Sequence, residues 1–208
     1  MAIRINGTDR ESTINQNSAT PMGTYHLAAN TNLFEIQRTN NFEFIVTDID
    51  GIAKAGMLGN ETNGTIANAQ EIIRLSVSSS SVPHFTQNAI EVKRGNSTMK
   101  FAGVPTFQAG QIKVIDYIGA ATKEVLMAWQ NLSYNIVTEK VGLASDYKKD
   151  CYLVEYTPDH QKVRQWKMHG CWVSELSEDE YNSESNDKKQ ITCKIEYDRA
   201  EIDTSEVI

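Results

Sequence analysis

The sequence has 208 residues, 40% of them apolar and 23% charged, and its 20 lysines and arginines against 27 acids leave a net charge of −7. One well-filled core suits that length and composition, while the acidic balance argues against gripping nucleic acid, because phosphate contacts need lysine and arginine in excess. No window approaches the ~18 consecutive apolar residues of a membrane span, and residues 1–10 lack the charged-then-apolar layout of a secretory signal, so a chain made and kept in the cytoplasm is expected.

Residues 1–31 are rich in Asn, Thr, Ser and Gly without steady periodicity and read as an N-terminal arm. An ordered domain is expected over residues 32–199, with residues 200–208 as a C-terminal tail. Two runs of aromatic and branched residues, 33–37 and 42–46, flank the turn-forming Thr39, Asn40 and Asn41 and predict a hairpin. Residues 50–70 shift to Gly, Asn, Thr and Ala, which marks an insertion or long loop. Residues 72–77 predict a strand. Ser78, Ser79, Ser80 and Ser81 then lead to Val82 and Pro83, where hydroxyls compete for the backbone and proline is excluded from a central ladder.

Ile90 and Val92 alternate with Glu91 and Lys93, residues 95–97 can turn the chain, and residues 99–102 can return antiparallel, which predicts a second hairpin. Residues 111–115 predict a strand with Ile112 and Val114 on one face. Val125, Trp129 and Leu132 then fall at helical spacing, with Thr122 placed to cap the first turn and Glu124 near the positive end of the dipole. Trp129 is expected to anchor that helix in the core. Strands are predicted over 151–156, 163–172 and 190–197. In the last, Ile191, Cys193, Ile195 and Tyr197 share one face and Thr192, Lys194 and Glu196 the other. Many short strands and one clear helix make a mainly-β domain.

Cys151, Cys171 and Cys193 lie about twenty residues apart among strand-like residues, without the close pairs of zinc sites, and read as buried thiols. His169 beside Cys171 would hold a metal only with distant residues converging on it. Residues 175–208 carry eleven acids against four lysines and arginines, which reads as a solvated acidic surface. No phosphate loop, Walker lysine, His-Glu-x-x-His pair or Gly-x-Ser-x-Gly elbow occurs. His26, His84, His160 and His169 are scattered, Asp48 and Asp50 read as a turn, and Asn131-Leu132-Ser133 lies at the predicted helix end. No enzyme, cofactor or metal is expected.

The order of these segments resembles the tail tube proteins of contractile-tailed bacteriophages. Asn32, Leu33, Phe34, Glu35 and Ile36 look like the family's first strand, and the hairpin over residues 90–101 leads into 102–107. Residues 111–115, followed by Val125 to a Trp129-Gln130 pair, are similar to its strand feeding a helix. Most specific are Asp146, Tyr147, Lys148, Lys149 and Asp150 before a strand, the Gly170-Cys171-Trp172 corner, and the closing strand over 190–198. The insertion and both termini depart from the pattern.

The resemblance implies a small β-barrel or sandwich with a flanking α-helix and a long hairpin, completing a β-barrel tube in a hexameric ring. It implies no enzyme but a structural subunit: rings stack into a channel for genome delivery in the virion tail, assembled in the bacterial host cytoplasm. Implied partners are further copies of the chain and the tail sheath, baseplate or initiator, terminator and tape-measure proteins, with DNA passing through without specific binding and no membrane. Closing sheets around a sixfold axis would consume their exposed edges. A long hairpin beside a serine run is poorly placed to bury itself in one small domain, so Ser78, Ser79, Ser80, Ser81, Glu91, Lys93 and Lys100 are expected in assembly contacts. Thr192, Lys194 and Glu196 are expected to face the channel. A secreted ring-forming tube of a bacterial injection system and a β-sandwich ligand-binding module are the alternative readings.

Overall fold

The computed structural model describes the backbone of residues 4–5 and 8–9, and residues 36–53, 65–184 and 186–203. The chain divides into residues 1–39 and 40–208. In the first unit two short strands, β1 (Arg4–Ile5) and β2 (Thr8–Asp9), pair antiparallel.

The second unit is built on a bent strand. In chain order it holds β3 (Phe42–Val46), β4 (Ile52–Ala53), β5 (Thr65–Ile66), α1 (Ala69–Ser76), β6 (Val77–Ser80), β7 (Phe85–Arg94), β8 (Ser97–Phe107), β9 (Gly110–Ile115) and α2 (Thr122–Ser133). After these come β10 (Tyr134–Asn135), β11 (Lys140–Val141), α3 (Ala144–Tyr147), β12 (Lys149–Tyr156), β13 (Lys162–Glu178), β14 (Gln190–Glu196) and β15 (Arg199–Asp203). The first half of β13 pairs with β12, which pairs in turn with β3, and on its other side with β15. Its second half pairs with β14, then β9, then β6.

The change of partner falls at Gly170. Its φ of +66° belongs to the left-handed region, and a Cβ there would meet the Asp198 carboxylate at 2.4 Å. Lys148 Nζ donates to the same carboxylate at 2.7 and 2.8 Å, and the Asp198 N–H bonds the His169 carbonyl at 3.0 Å. The predicted Gly170-Cys171-Trp172 corner is this bend.

The inward faces of both halves meet in one core. Phe44, Val46, Cys151, Leu153 and Met168 come from one half, and Ile112, Val114, Val173, Ile191, Cys193 and Ile195 from the other. Helix α2 closes it with Val125, Leu126, Ala128 and Trp129, the last fully buried with its Nε1–H on the Tyr147 carbonyl at 3.0 Å. All three cysteines are free and buried. Burial pushes the Cys151 thiol up, and that of Cys193 up to about 12.

Several expectations are corrected. Residues 72–77 do not form a strand: Ala69–Ser76 is helical and buries Ala69, Ile73 and Ser76, an i, i+4, i+7 stripe whose small and polar members hid the helical period. Thr122 does not cap α2. Ala121 occupies the cap position with φ +51° and no side-chain bond, and Thr122 is buried, sharing a 3.2 Å hydrogen bond with the Ser76 hydroxyl. Strand β3 takes β12 as its partner, because that pairing places Phe44 opposite Leu153 and Val46 opposite Cys151 on the core face. Of its expected partner, residues 33–35 lie outside the described residues and Ile36 and Gln37 are not in a strand. Much of the predicted insertion, residues 54–64, also lies outside them. Beyond it β5 returns to pair with β4, and α1 begins.

Candidate assembly surface

Strands β7 and β8 make a two-stranded ribbon running from the pair Phe85 and Phe107 to the pair Arg94 and Ser97. The tip is the two-residue turn Gly95-Asn96, where Gly95 has φ +60°, as a two-residue hairpin with glycine at the first central position requires. Part-way along, the register shifts between Gln87 and Ala89; at that bulge Gly103 approaches the Asn88 carbonyl so closely that a Cβ would stand 2.3 Å from it. Pro105 follows, tolerated because neither strand has a second partner among the described residues.

The ribbon is amphipathic. Ile90 faces Phe101 and Val92 faces Met99, so the four side chains lie on one side, and each is 43–55% exposed. Glu91, Lys93 and Lys100 lie on the other, with Lys100 Nζ 3.2 Å from Glu91 Oε1. Every residue of β7 is exposed. A lone two-stranded ribbon with an uncovered apolar face is a poor structure in water, and such faces mark interaction sites. The expected assembly residues Glu91, Lys93 and Lys100 therefore sit together on its polar side. The apolar side went unread because its alternation also reads as ordinary half-buried strand, and nothing in the sequence says the covering layer is missing.

The ribbon's root is anchored. Phe85, Phe107 and Tyr197 stack in sequence, with ring centroids 5.7 and 6.1 Å apart. The Gln108 N–H also bonds the His84 carbonyl at 3.1 Å.

The four serines lie between α1 and this root. Ser78 Oγ donates to the Lys113 carbonyl at 3.0 Å and accepts from Gln190 Nε2 at 3.1 Å, while Ser79 is exposed opposite Lys113. Ser80 Oγ donates to the Ser81 carbonyl at 3.2 Å, and Ser81 Oγ accepts the Gln111 N–H at 2.7 Å. Ser78 to Ser80 are thus part of an edge strand, and the break falls at residues 81–84. Among the described residues no strand pairs with the far edge of β6, nor with the second edge of β13 beyond Cys171. The four strands β13, β14, β9 and β6 form a sheet with two open edges.

Thr192, Lys194 and Glu196 point to the face of that sheet away from the core, next to Lys113 on β9 and Glu175 on β13. Lys194 Nζ lies 3.3 Å from Glu196 Oε1. This face carries two lysines against two glutamates at its centre. Among the described residues no cluster of His, Cys, Asp and Glu fits a metal ion, and no helix is long and apolar enough to cross a membrane. His169 instead bridges two carboxylates, with Nδ1 3.5 Å from Asp150 and Nε2 3.2 Å from Glu201; its hydrogen bond, helped by Arg199, holds the Glu201 carboxyl below its ordinary range.

Residues 40–201 match the sequence family described as T4-like virus tail tube protein gp19. In fold the chain is similar to a chain of the PVC sheath-tube complex of an extracellular contractile injection system in its extended state, with a TM-score of 0.58 and 16% identity over 89% of this chain and 99% of that one. It is also similar to the tube terminating cap of the anti-feeding prophage, with a TM-score of 0.56 and 16% identity over 82% and 92% of the two chains. A third likeness is to the PVC sheath/tube terminator in its extended state, with a TM-score of 0.56 and 18% identity over 80% and 96%. Curated protein sequences yield no match.

Proposed function

Because the chain belongs to the T4-like virus tail tube protein gp19 family, we propose that it is the repeating subunit of a bacteriophage tail tube, six copies closing a ring and rings stacking into a channel for genome delivery. The observation that carries this reading is the four-stranded sheet of β13, β14, β9 and β6 with both edges open. Pairing the β6 edge of one copy with the β13 edge of the next joins six four-stranded sheets into one barrel and removes both open edges of each, the standing hazard of a small open sheet. A barrel of about 24 strands leaves an aqueous bore.

In that ring Thr192, Lys194 and Glu196 line the channel, and the edge serines Ser78 to Ser81 stand at the subunit seam. The amphipathic ribbon, with Glu91, Lys93 and Lys100 on its polar side, makes the contact between rings. The sheath surrounds the tube, a baseplate or initiator starts it, a terminator caps it, and the tape-measure protein and DNA pass through without specific binding. The role is structural, and the site of action is the virion tail. A second reading, the tube of a bacterial injection system, draws support from the fold likeness to the PVC sheath-tube chain.

Negative-stain microscopy of the purified protein tests the proposal. Tubes or sixfold rings are expected, whereas a monodisperse monomer at high concentration and with tail initiator added rules out both readings. Ejection of DNA by phage particles containing the chain separates the first from the second.

A further inference from the structure

The ribbon and a second apolar feature occupy opposite ends of the same two strands. Strand β6 begins at Val77, immediately after α1, and ends at Ser80 beside the ribbon's root. Strand β9 begins at Gly110 beside that root and ends at Ile115. At the far end, about 20 Å along β9, a groove of 660 Å³ opens between α1 and the turn before α2. Ile66, Ile72, Leu75, Tyr117 and Ala120 line it. Leu75 is 69% exposed, and Ile118 in the adjoining turn is fully exposed. These side chains have no internal reason to face water.

Charge divides along the same axis. The ribbon's distal part carries Lys93, Arg94 and Lys100 against Glu91. The groove carries Glu71, and the connection between β13 and β14, with Asp179, Glu180, Glu184 and Asp187 against Lys188 and Lys189, leaves the sheet at the groove's end. It is tied there by Lys123 of α2 and by Lys189, at 2.6 and 2.9 Å from the two oxygens of Glu178. One end of the subunit is apolar and basic, the other apolar and acidic.

We infer that the groove between α1 and the turn at residues 117–121 receives the β7–β8 ribbon of a second copy of this chain, the apolar side formed by Ile90, Val92, Met99 and Phe101 entering the groove. The inference rests on the tube reading and names the partner surface of the ribbon. Two different surfaces at opposite ends make the contact heterologous, so it propagates head to tail and gives the stack a direction. The opposed charges favour head-to-tail over head-to-head encounter.

Two single-cysteine additions test this: Val92→Cys near the ribbon tip and Leu75→Cys at the groove. Both positions are exposed, and the three native thiols are buried, with those of Cys151 and Cys193 held protonated, so a short bis-maleimide reports only the added pair. The mixed variants, under conditions where the unmodified chain is imaged by microscopy, are expected to give a covalent dimer that neither variant gives alone. Ile118→Cys repeats the measurement should Leu75→Cys fail to fold. Rings or tubes without the mixed dimer from either groove position overturn the inference and leave the tube reading standing. Absence of both assembly and dimer overturns the two together.

Discussion

The Tyr197 hydroxyl accepts the His84 N–H at 3.3 Å and donates to the His84 carbonyl at 3.4 Å, tying the end of β14 to the residue from which the ribbon departs. The ring is buried at 7% exposure, and burial raises the phenol above its ordinary pKa of 10. Tyr197→Phe keeps the stack on Phe107 and removes both bonds. We expect a loss of about 1 kcal/mol in stability and a larger loss in assembly, because the ribbon's direction is released. Denaturant melts and tube yield measured together check this; a variant that assembles at the normal critical concentration shows that the aromatic rings and the Gln108–His84 backbone bond hold the root without the hydroxyl.

Trp129 fills the centre of the core, so Trp129→Ala is expected to cost ~3–5 kcal/mol. Trp129→Phe should cost less yet still destabilise, because it strands the Tyr147 carbonyl, the acceptor that fixes α3 beside α2. Equilibrium unfolding of the pair separates volume from hydrogen bond. Equal stability of Trp129→Phe and the unmodified chain would mean that the Nε1–H contact contributes nothing.

The alternation of Ile191, Cys193, Ile195 and Tyr197 was readable because a strand covered on one side has a strict two-residue period, and all four side chains are buried. The ribbon was readable from the same period, although its full length from Phe85 to Phe107 exceeds the stretch that sequence alone marks. Helix α1 was not, since adjacent Ile72 and Ile73 followed by Leu75 and Val77 mimic a strand while the buried stripe contains Ala69 and Ser76. The groove had no signature at all: residues near 72 and near 118 meet only because β6 and β9 pair. Open edges are likewise properties of topology, and no local pattern announces them.

The core thiols yield a chemical prediction. Thiolate is the reactive form, and burial disfavours it at Cys151 and Cys193. Aromatic disulfide reagents at neutral pH should therefore label no thiol in the native protein and all three after denaturation. Rapid labelling of any one in the folded chain would place it at a surface that the present packing does not show.

Glu178 links folding to acid. Hydrogen bonds first from Lys123 and then from Lys189 hold its carboxyl below the ordinary 4.5. A depressed folded value means that the contribution is complete above about pH 4.5 and is lost as pH falls through the lower folded value. The side chain is 32% exposed, so solvent screening keeps the effect modest. The gap in melting temperature between the unmodified chain and Glu178→Gln should be widest near neutrality and close below pH 4.5. A gap independent of pH would assign the effect to packing of the β13–β14 connection instead of its charge.

On the sheet face proposed to line the channel, Lys113 and Lys194 stand among Glu175 and Glu196, so the strands offer DNA no excess of positive charge. A conduit needs that neutrality, because counterion release would otherwise hold the phosphates against the wall. Replacing both acids, Glu175→Lys with Glu196→Lys, leaves four lysines on the face and no nearby carboxylate on these positions. Charge on a wet surface contributes little to folding, so tubes should assemble in nearly normal yield. Genome ejection should slow, most strongly at low salt where the screening length is longest, and recover as salt is raised. Ejection at the normal rate at every ionic strength would place this face away from the DNA.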